Sequence, residues 1–321
     1  MKICTYNIES MTAMFDGDNI KKSAIPRANA IATVLKRINP DIIGICEGPR
    51  KSSQLQSFFD EFAPELKLKV VRSYSRGYEN LLFAHRDNVE PVAIDPDLNF
   101  YDTWLADPDG NGLTKKFWWD KQPLEVIFKE KEYGQQFRVI QVHGPTKGIL
   151  KAVSFFMYER ISLAKRIQMV AEADRLRIRI EQLLKTESYI PFIIQGDMND
   201  DPTLDYSERL LDGSYLSNLM GNIYKPETIL HDALGYRWVE VEGREDLWTC
   251  TYEDPIIKEA FGKLHYVWID HQLFAPSFKT SREVFLKDRS GRVDVKDEFS
   301  AAASDHYAIW CELGFNAMAA T

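Results

Sequence analysis

Residues 192–202 read FIIQGDMNDDP. The apolar run Phe192, Ile193, Ile194 is too short for a helix and fits a buried strand. Gly196 lets the chain break sharply after it. Asp197, Asn199, Asp200 and Asp201 follow, closed by Pro202. Carboxylates this close repel one another unless a cation sits among them. A hard divalent ion prefers oxygen donors of this kind, and the end of a buried strand holds them rigidly. A solvated turn is the competing reading, because Asp, Asn and Pro are common turn formers. The stretch alone leaves both open.

Outward from it, other apolar runs also stop on a polar side chain. KICTYNI, at the start, ends near Asn7, and DIIGICEG ends on Glu47. LEVIFKEK and FRVIQVHG read as neighbouring strands joined by a turn around Gly134, the second ending on His143. LHYVWIDHQLFA reads as one strand carrying Asp270 and His271. SDHYAIWCELG is a last strand preceded by Asp305 and His306. LKVVRSYS, ENLLFAHR and PVAI add further strands. Helical spacing marks residues 27–39, closed by Pro40, and a second helix through Leu55, Phe58, Phe59 and Phe62. A long helix spans 155–185. Its expected inner side is Ile161, Ala164, Ile167, Ala171, Ile178 and Leu183, with Arg166, Arg175, Arg177 and Arg179 on a solvated face. Strands and helices alternate unevenly, with many strands in hairpin-like pairs. This pattern predicts an α/β fold of two packed sheets with helices outside, residues 1–321 forming one domain.

The composition is that of an ordinary globular protein: 321 residues, 45% hydrophobic and 27% charged. The net charge of −8 argues against broad electrostatic capture of nucleic acid, although bound cations can reverse the sign locally. Cys4, Cys46, Cys250 and Cys311 form no CxxC pair and read as buried free thiols. With no 18-residue apolar span and no apolar leader, the chain is expected to be a cytoplasmic monomer without a membrane span, or a secreted one if a leader was removed.

Six strand ends thus carry polar groups: Asn7, Glu47, His143, Asp197 with Asn199, Asp270, and Asp305 with His306. In this order, TYNIES, DIIGICEG, VHGPTKG, IIQGDMNDDP, WIDHQLF and SDHYAIW resemble the endonuclease/exonuclease/phosphatase (DNase I-like) superfamily across residues 2–314. The GDMND and SDH motifs are the specific part. The resemblance implies a four-layer α/β/β/α sandwich and a Mg²⁺- or Mn²⁺-dependent hydrolase of phosphoric esters. It implies Glu47, Asp305 and Asn7 as the metal region. It implies His143, Asp197, Asn199, Asp270 and His306 as the catalytic set. Within that set Asp197 would orient or deprotonate the attacking water, His306 would bind the phosphoryl oxygen, and Asp270 would set the His306 tautomer. Asn7 would also contact the phosphate. The chemistry needs these types: a divalent ion neutralises charge developing on the phosphoester and acidifies bound water, and carboxylate-paired histidines donate near neutral pH.

The chain departs from the family pattern at Lys121 and Gln122, where an arginine commonly precedes Pro-Leu, and at GPTKG after His143. Lys147 is a candidate compensating phosphate contact. DPDGNG at 107–112 mimics the start of a calcium loop, making Ca²⁺ a further candidate ion. Its twelfth position is Trp118 rather than Glu, so a tight polar turn is the alternative. Phe117, Trp118 and Trp119 either wall a substrate pocket or plug the space beneath their loop. The irregular stretch Thr103–Trp119 is expected to narrow the site, with Trp118 or Trp119 lining it. The predicted substrate is therefore a small phosphoester or single-stranded nucleic acid. Duplex nuclease activity and a non-catalytic scaffold of the same fold are the alternatives.

Overall fold

The structure is a computed structural model that describes residues 1–71, 79–95, 97–148, 154–186, 190–235, 247–252, 265–280 and 283–317. Strand β1 (Lys2–Asn7) enters the core at once. A small ribbon of β2 (Phe15–Asp16) and β3 (Asn19–Ile20) leads to helix α1 (Ile25–Ile38). Asn39 adopts a left-handed conformation, donates its N–H to Leu35 O and stops α1 before Pro40. β4 (Ile42–Gly48), α2 (Ser52–Phe62), β5 (Lys69–Val71), β6 (Asn80–His85) and β7 (Val89–Ile94) follow. Next come β8 (Trp104–Ala106), β9 (Lys115–Phe117), β10 (Leu124–Glu130), β11 (Gln136–His143) and α3 (Phe155–Lys185). β12 (Phe192–Asp197) is followed by α4 (Tyr206–Leu211), α5 (Tyr215–Met220), β13 (His231–Asp232), β14 (Cys250–Tyr252), β15 (His265–Val267) and β16 (Asp270–Phe274). The chain closes with α6 (Ser277–Thr280), β17 (Val284–Leu286), β18 (Arg292–Val293), α7 (Glu298–Ala303) and β19 (Ile309–Phe315).

Two mixed sheets carry the fold. One runs β17-β19-β1-β4-β6-β5, with β18 beside β19; the other runs β13-β16-β12-β11-β10-β7. Alternation along each strand sends side chains to opposite faces. In β4, Ile43 and Ile45 join the cluster formed with α1 and α2, while Ile42 and Cys46 join the other cluster. That other cluster unites the strands of the second sheet with Met169, Leu176 and Ile180 of α3. The result is helix, sheet, sheet, helix: the α/β/β/α sandwich. Ile31, Val34, Leu35 and Ile38 of α1 are all buried, and each contributes about 1.5–3 kcal/mol.

β12 lies inside its sheet, parallel to β11 and antiparallel to β16. It is buried throughout, which explains its continuous apolar run. Polar side chains pass between the sheets as well. Gln141, Gln195 and Gln272 lie side by side in register on β11, β12 and β16. Gln272 donates to Gln195 Oε1 (2.9 Å), Gln195 to Gln141 Oε1 (3.1 Å), and Gln141 to Thr5 Oγ1 (2.9 Å) on the facing sheet. The ladder satisfies groups that would otherwise be buried at a cost.

Four expectations change. LHYVWIDHQLFA is two strands in two sheets, β15 pairing β14 and β16 pairing β12. Thr249 Oγ1 accepts from the N–H groups of Ile269 and Asp270, tying down the bend between them. The stretch 103–119 is not wholly irregular, because β8 and β9 pair as an antiparallel ribbon. The arginines of α3 are not a solvated face. Arg166 is held by Asp205, Arg179 by Glu125 and Asp97, Arg175 by Phe100 O, and Arg177 by Leu219 O and Thr228 O. Ala164 and Ile178 of the expected inner side are exposed, and the inner side runs through Met169, Val170, Ala173, Leu176, Ile180 and Leu183. Acids and carbonyls of neighbouring elements reward turning the arginines inward, which helical periodicity cannot register. Residues 72–75 of LKVVRSYS lie outside the described residues.

Candidate active site

The strand ends converge because of register. His143 pairs with Asp197, and Asp197 with Asp270, so the last residues of β11 and β12 lie beside the first residue of the antiparallel β16. On the facing sheet Asn7 pairs with Cys46, next to Glu47. The β4–β6 register shifts between Ile45 and Gly48, and Glu47 sits at φ 54°. Asn199 is likewise left-handed at φ 51°. Such backbone is costly away from glycine and collects at functional sites. Gly196 cannot be replaced: a Cβ there would lie 1.9 Å from Val142 O, and its φ is 141°.

Asn7 is the hub. Its Nδ2 donates to Glu47 Oε1 (3.1 Å) and Asp197 Oδ2 (2.9 Å) and lies 3.3 Å from His306 Nε2. Glu47 Oε2 accepts the Ser10 N–H at 2.7 Å. Asp197 Oδ1 accepts the Asn199 N–H (2.8 Å), and Asn199 Nδ2 donates to Gly144 O (2.9 Å). His306 Nδ1 meets Asp270 Oδ2 at 2.9 Å, leaving Nε2 3.7 Å from Asp197 Oδ2 and 3.9 Å from Asp305 Oδ1. Ser304 Oγ donates to Asn7 O and accepts the His306 N–H, joining the last motif to the first strand. His143 Nε2 stands 3.5 Å from Asp197 Oδ2 and 3.9 Å from Glu47 Oε1. Lys121 Nζ lies 3.1 Å from each His143 ring nitrogen. Glu47, His143, Asp197, Asn199, Asp305 and His306 line a cavity of about 640 Å³.

The two histidines are driven apart electrostatically. Burial, with Lys121 and His306 adding, holds His143 well below the ordinary histidine value. Burial alone would lower His306 too, but the Asp270 and Asp197 carboxylates reverse this and raise it well above that value. Burial pushes Asp197 up to about 6; Asp270 adds to this and His306 opposes it. The two histidines are thus shifted in opposite directions, the kind of separation that distinguishes acid from base. At the rim, burial raises Asp305, and Glu47 adds to it. Glu9 is raised by burial, then by Asp305 and Glu47. Oxygen donors that strain one another's ionisation fit a hard divalent cation.

The remaining sequence candidates fall outside this centre. Lys147 lines the cavity, but its ammonium is held by Asp200 and Glu208. Trp119 is 8% exposed and packs against Tyr101 and Trp104, plugging the ribbon rather than lining the cavity. Trp118 is 61% exposed and borders a neighbouring pocket of about 320 Å³, which shares Asp120 and Lys121 with the main cavity. In the 107–112 turn, Asp107 accepts the N–H groups of Asn111 and Gly112, while Asp109 is paired with Lys115. Its carboxylates serve the turn itself. Sequence reasoning missed Cys250, which lines the cavity and whose thiol burial pushes up to about 11. It also missed Glu172 and the hydroxyls of Thr249 and Ser304. Cys250, Glu172 and Thr249 end no apolar run at a recognisable motif, whereas Ser304 opens the SDH motif but carries no charge to mark it.

The model of the endonuclease/exonuclease/phosphatase family matches residues 4–306. The chain belongs to this family. The family's span takes in every residue of the cluster from Asn7 to His306. Solved structures agree at the level of the fold. D. rerio TDP2, complexed with single strand DNA product, superposes with a TM-score of 0.55 at 12% identity, covering 98% of each chain. An endonuclease/exonuclease/phosphatase from Bacteroides vulgatus gives 0.55 at 15% identity, again over 98% of each chain. Truncated Caenorhabditis elegans TDP2 gives 0.54 at 13%, covering 98% of this chain and 97% of that one. No curated protein matches the chain significantly. Among the described residues no helix is long and apolar enough to cross a membrane.

Proposed function

We propose that this family member is a Mg²⁺- or Mn²⁺-dependent phosphodiesterase acting on small phosphoesters or single-stranded nucleic acid, with residues 1–321 as one domain. The observation that carries the reading is that Glu47, Asp197 and His306 line one cavity while the buried Asn7 and Asp270 hold them from behind. Glu47, Asp305 and Asn7 would hold the ion. When bound, it would neutralise charge on the phosphoester and acidify a coordinated water.

The chain's own residues supply the rest. Asp197, nearly surrounded by donors, orients the attacking water and accepts its proton at a carboxylate oxygen. Asn199 Nδ2 donates to a phosphoryl oxygen, and Asn7 Nδ2 would do so with the hydrogen released when Glu47 Oε1 turns to the ion. His306 enters protonated, donates from Nε2 to a phosphoryl oxygen and stabilises the added negative charge. Asp270 acts through His306 as a positioning residue, fixing the ring by its bond to Nδ1. His143, neutral and beside Lys121, faces the leaving-group side. The substrate class rests on the acidic net charge of −8 and on the cavity's size, about 640 Å³. The single strand DNA product held by D. rerio TDP2 supports the same choice.

The test compares kcat/KM for a small diester, single-stranded DNA and duplex DNA with Mg²⁺ or Mn²⁺, before and after EDTA, from low to moderate salt. Turnover of the first two that is lost in EDTA and restored by the ion is expected. Full activity in chelator overturns the metal assignment. Efficient duplex cleavage with a steep salt dependence overturns the substrate class.

A further inference from the structure

We propose that Cys250, Asp305 and His306 form a second, mutually exclusive site for a thiophilic divalent cation such as Zn²⁺ or Cd²⁺, and that filling it shuts the cavity. The placement is fixed by backbone. Cys250 bridges His306 in antiparallel fashion, the Thr251 N–H donates to Asp305 O (3.0 Å), and the Tyr307 N–H donates to Thr249 O (2.6 Å). The two segments therefore run side by side. One donor atom each from Cys250, Asp305 and His306 lies within 4.8 Å of the others. All three residues line the cavity, so a cation reaches them from solvent and keeps an open coordination position.

The donor chemistry separates this set from the one proposed for Mg²⁺. Glu47, Asp305 and Asn7 offer oxygen alone, which suits a hard ion. A thiolate, an imidazole and one carboxylate select Zn²⁺ or Cd²⁺ instead. His306 is already oriented for ligation: Asp270 holds Nδ1 at 2.9 Å, leaving Nε2 toward Asp305. A carboxylate behind the ring is the usual companion of a zinc-bound histidine. Because Asp305 belongs to both sets and His306 to the catalytic one, one cation excludes the other and removes the phosphoryl-oxygen donor. Binding releases two protons to solvent, one from the Cys250 thiol and one from His306 Nε2, as the metal takes their places.

Binding does not depend on the proposed activity; its consequence for hydrolysis does. Chelator-treated protein is titrated with Cd²⁺ and Co²⁺ and read by the thiolate-to-metal charge-transfer band. A saturable band at one equivalent is expected. Cys250→Ser should abolish the band and weaken binding at least about 30-fold, within the range that loss of even an outer partner produces. Asp305→Asn, on the exposed side, should weaken Cd²⁺ binding without disturbing the packed thiol. In a parallel assay under saturating Mg²⁺, Zn²⁺ should inhibit diester hydrolysis. Its half-inhibiting concentration should rise by a similar factor in Cys250→Ser, each protein being referred to its own uninhibited rate. No band in the wild type, or a band unchanged in both variants, overturns the site. Cd²⁺ binding without inhibition overturns the mutual exclusion. If no phosphoester is hydrolysed under any condition, the proposed activity falls while the Cd²⁺ titration still decides this site.

Discussion

Glu172 gives a prediction whose size follows from its surroundings. It lies on α3 at 0% exposure, beneath the 118–121 loop. Its Oε1 accepts the Asp120 N–H and the Gln168 Nε2–H, both at 2.8 Å, whereas Oε2 is buried without a partner among the described residues. Burial pushes its pKa from 4.5 to about 8; the hydrogen bonds from Gln168 and Asp120 oppose this, and Lys121 opposes it weakly. The sign follows from proton counting. Between these values the unfolded chain has lost the proton and the native state keeps it, so stability is full below 4.5 and is lost as pH rises toward 8. Linkage gives a cost of about 1 kcal/mol near pH ~5 and about 4 kcal/mol near pH ~7.5. Glu172→Gln keeps the Oε1 acceptor, places a neutral amide where the protonated oxygen stood, and cannot ionise. The stability of the variant relative to wild type should therefore rise by about 3 kcal/mol between those two pH values. Urea unfolding of both proteins across the range measures it, and every other titrating group cancels in the difference. A difference constant to within about 0.5 kcal/mol would mean that Glu172 is ionised in the native protein, and the reasoning would fail.

Asp197→Asn and His306→Ala should each lower kcat at least about 100-fold with the fold intact, because each acts mainly in the transition state. Asp270→Asn should cost less, and near-normal turnover in Asp197→Asn would refute the assignment. Gly196→Ala should destabilise by about 3 kcal/mol or more, since its Cβ would meet Val142 O at 1.9 Å on a backbone that L-residues avoid. A loss below about 1 kcal/mol in urea unfolding would show that β11 and β12 separate more freely than their pairing implies.

Much of the candidate site was legible because its residues end apolar runs. A buried strand that stops on a carboxylate, amide or histidine must give that group a partner, and Asn7, Glu47, His143 and Asp197 follow this pattern, while Asp270 opens its strand. Where the ends would meet was a different matter. Asn7 and His306 are 299 residues apart, and Asn7 and Asp197 are 190 apart. Their contact depends on sheet register, which local preference does not encode, so at the sequence level it rested on family resemblance.

The misread elements share one cause. Arg166 and Arg179 look like a solvated face until Asp205, Glu125 and Asp97, on other elements, turn them inward. Ile178 looks buried until that same turn exposes it. Cys250 reads as one more core thiol until the antiparallel bridge sets it against His306. The sequence by itself determined the long strands β1, β4, β10, β11, β12 and β19, the helices α1, α2 and α3, and the polar groups at their ends, because those preferences act over a few residues. Only the tertiary structure decided which polar groups are partnered and which face a helix buries, because a buried charge or amide is stable only where a distant part of the chain supplies its complement.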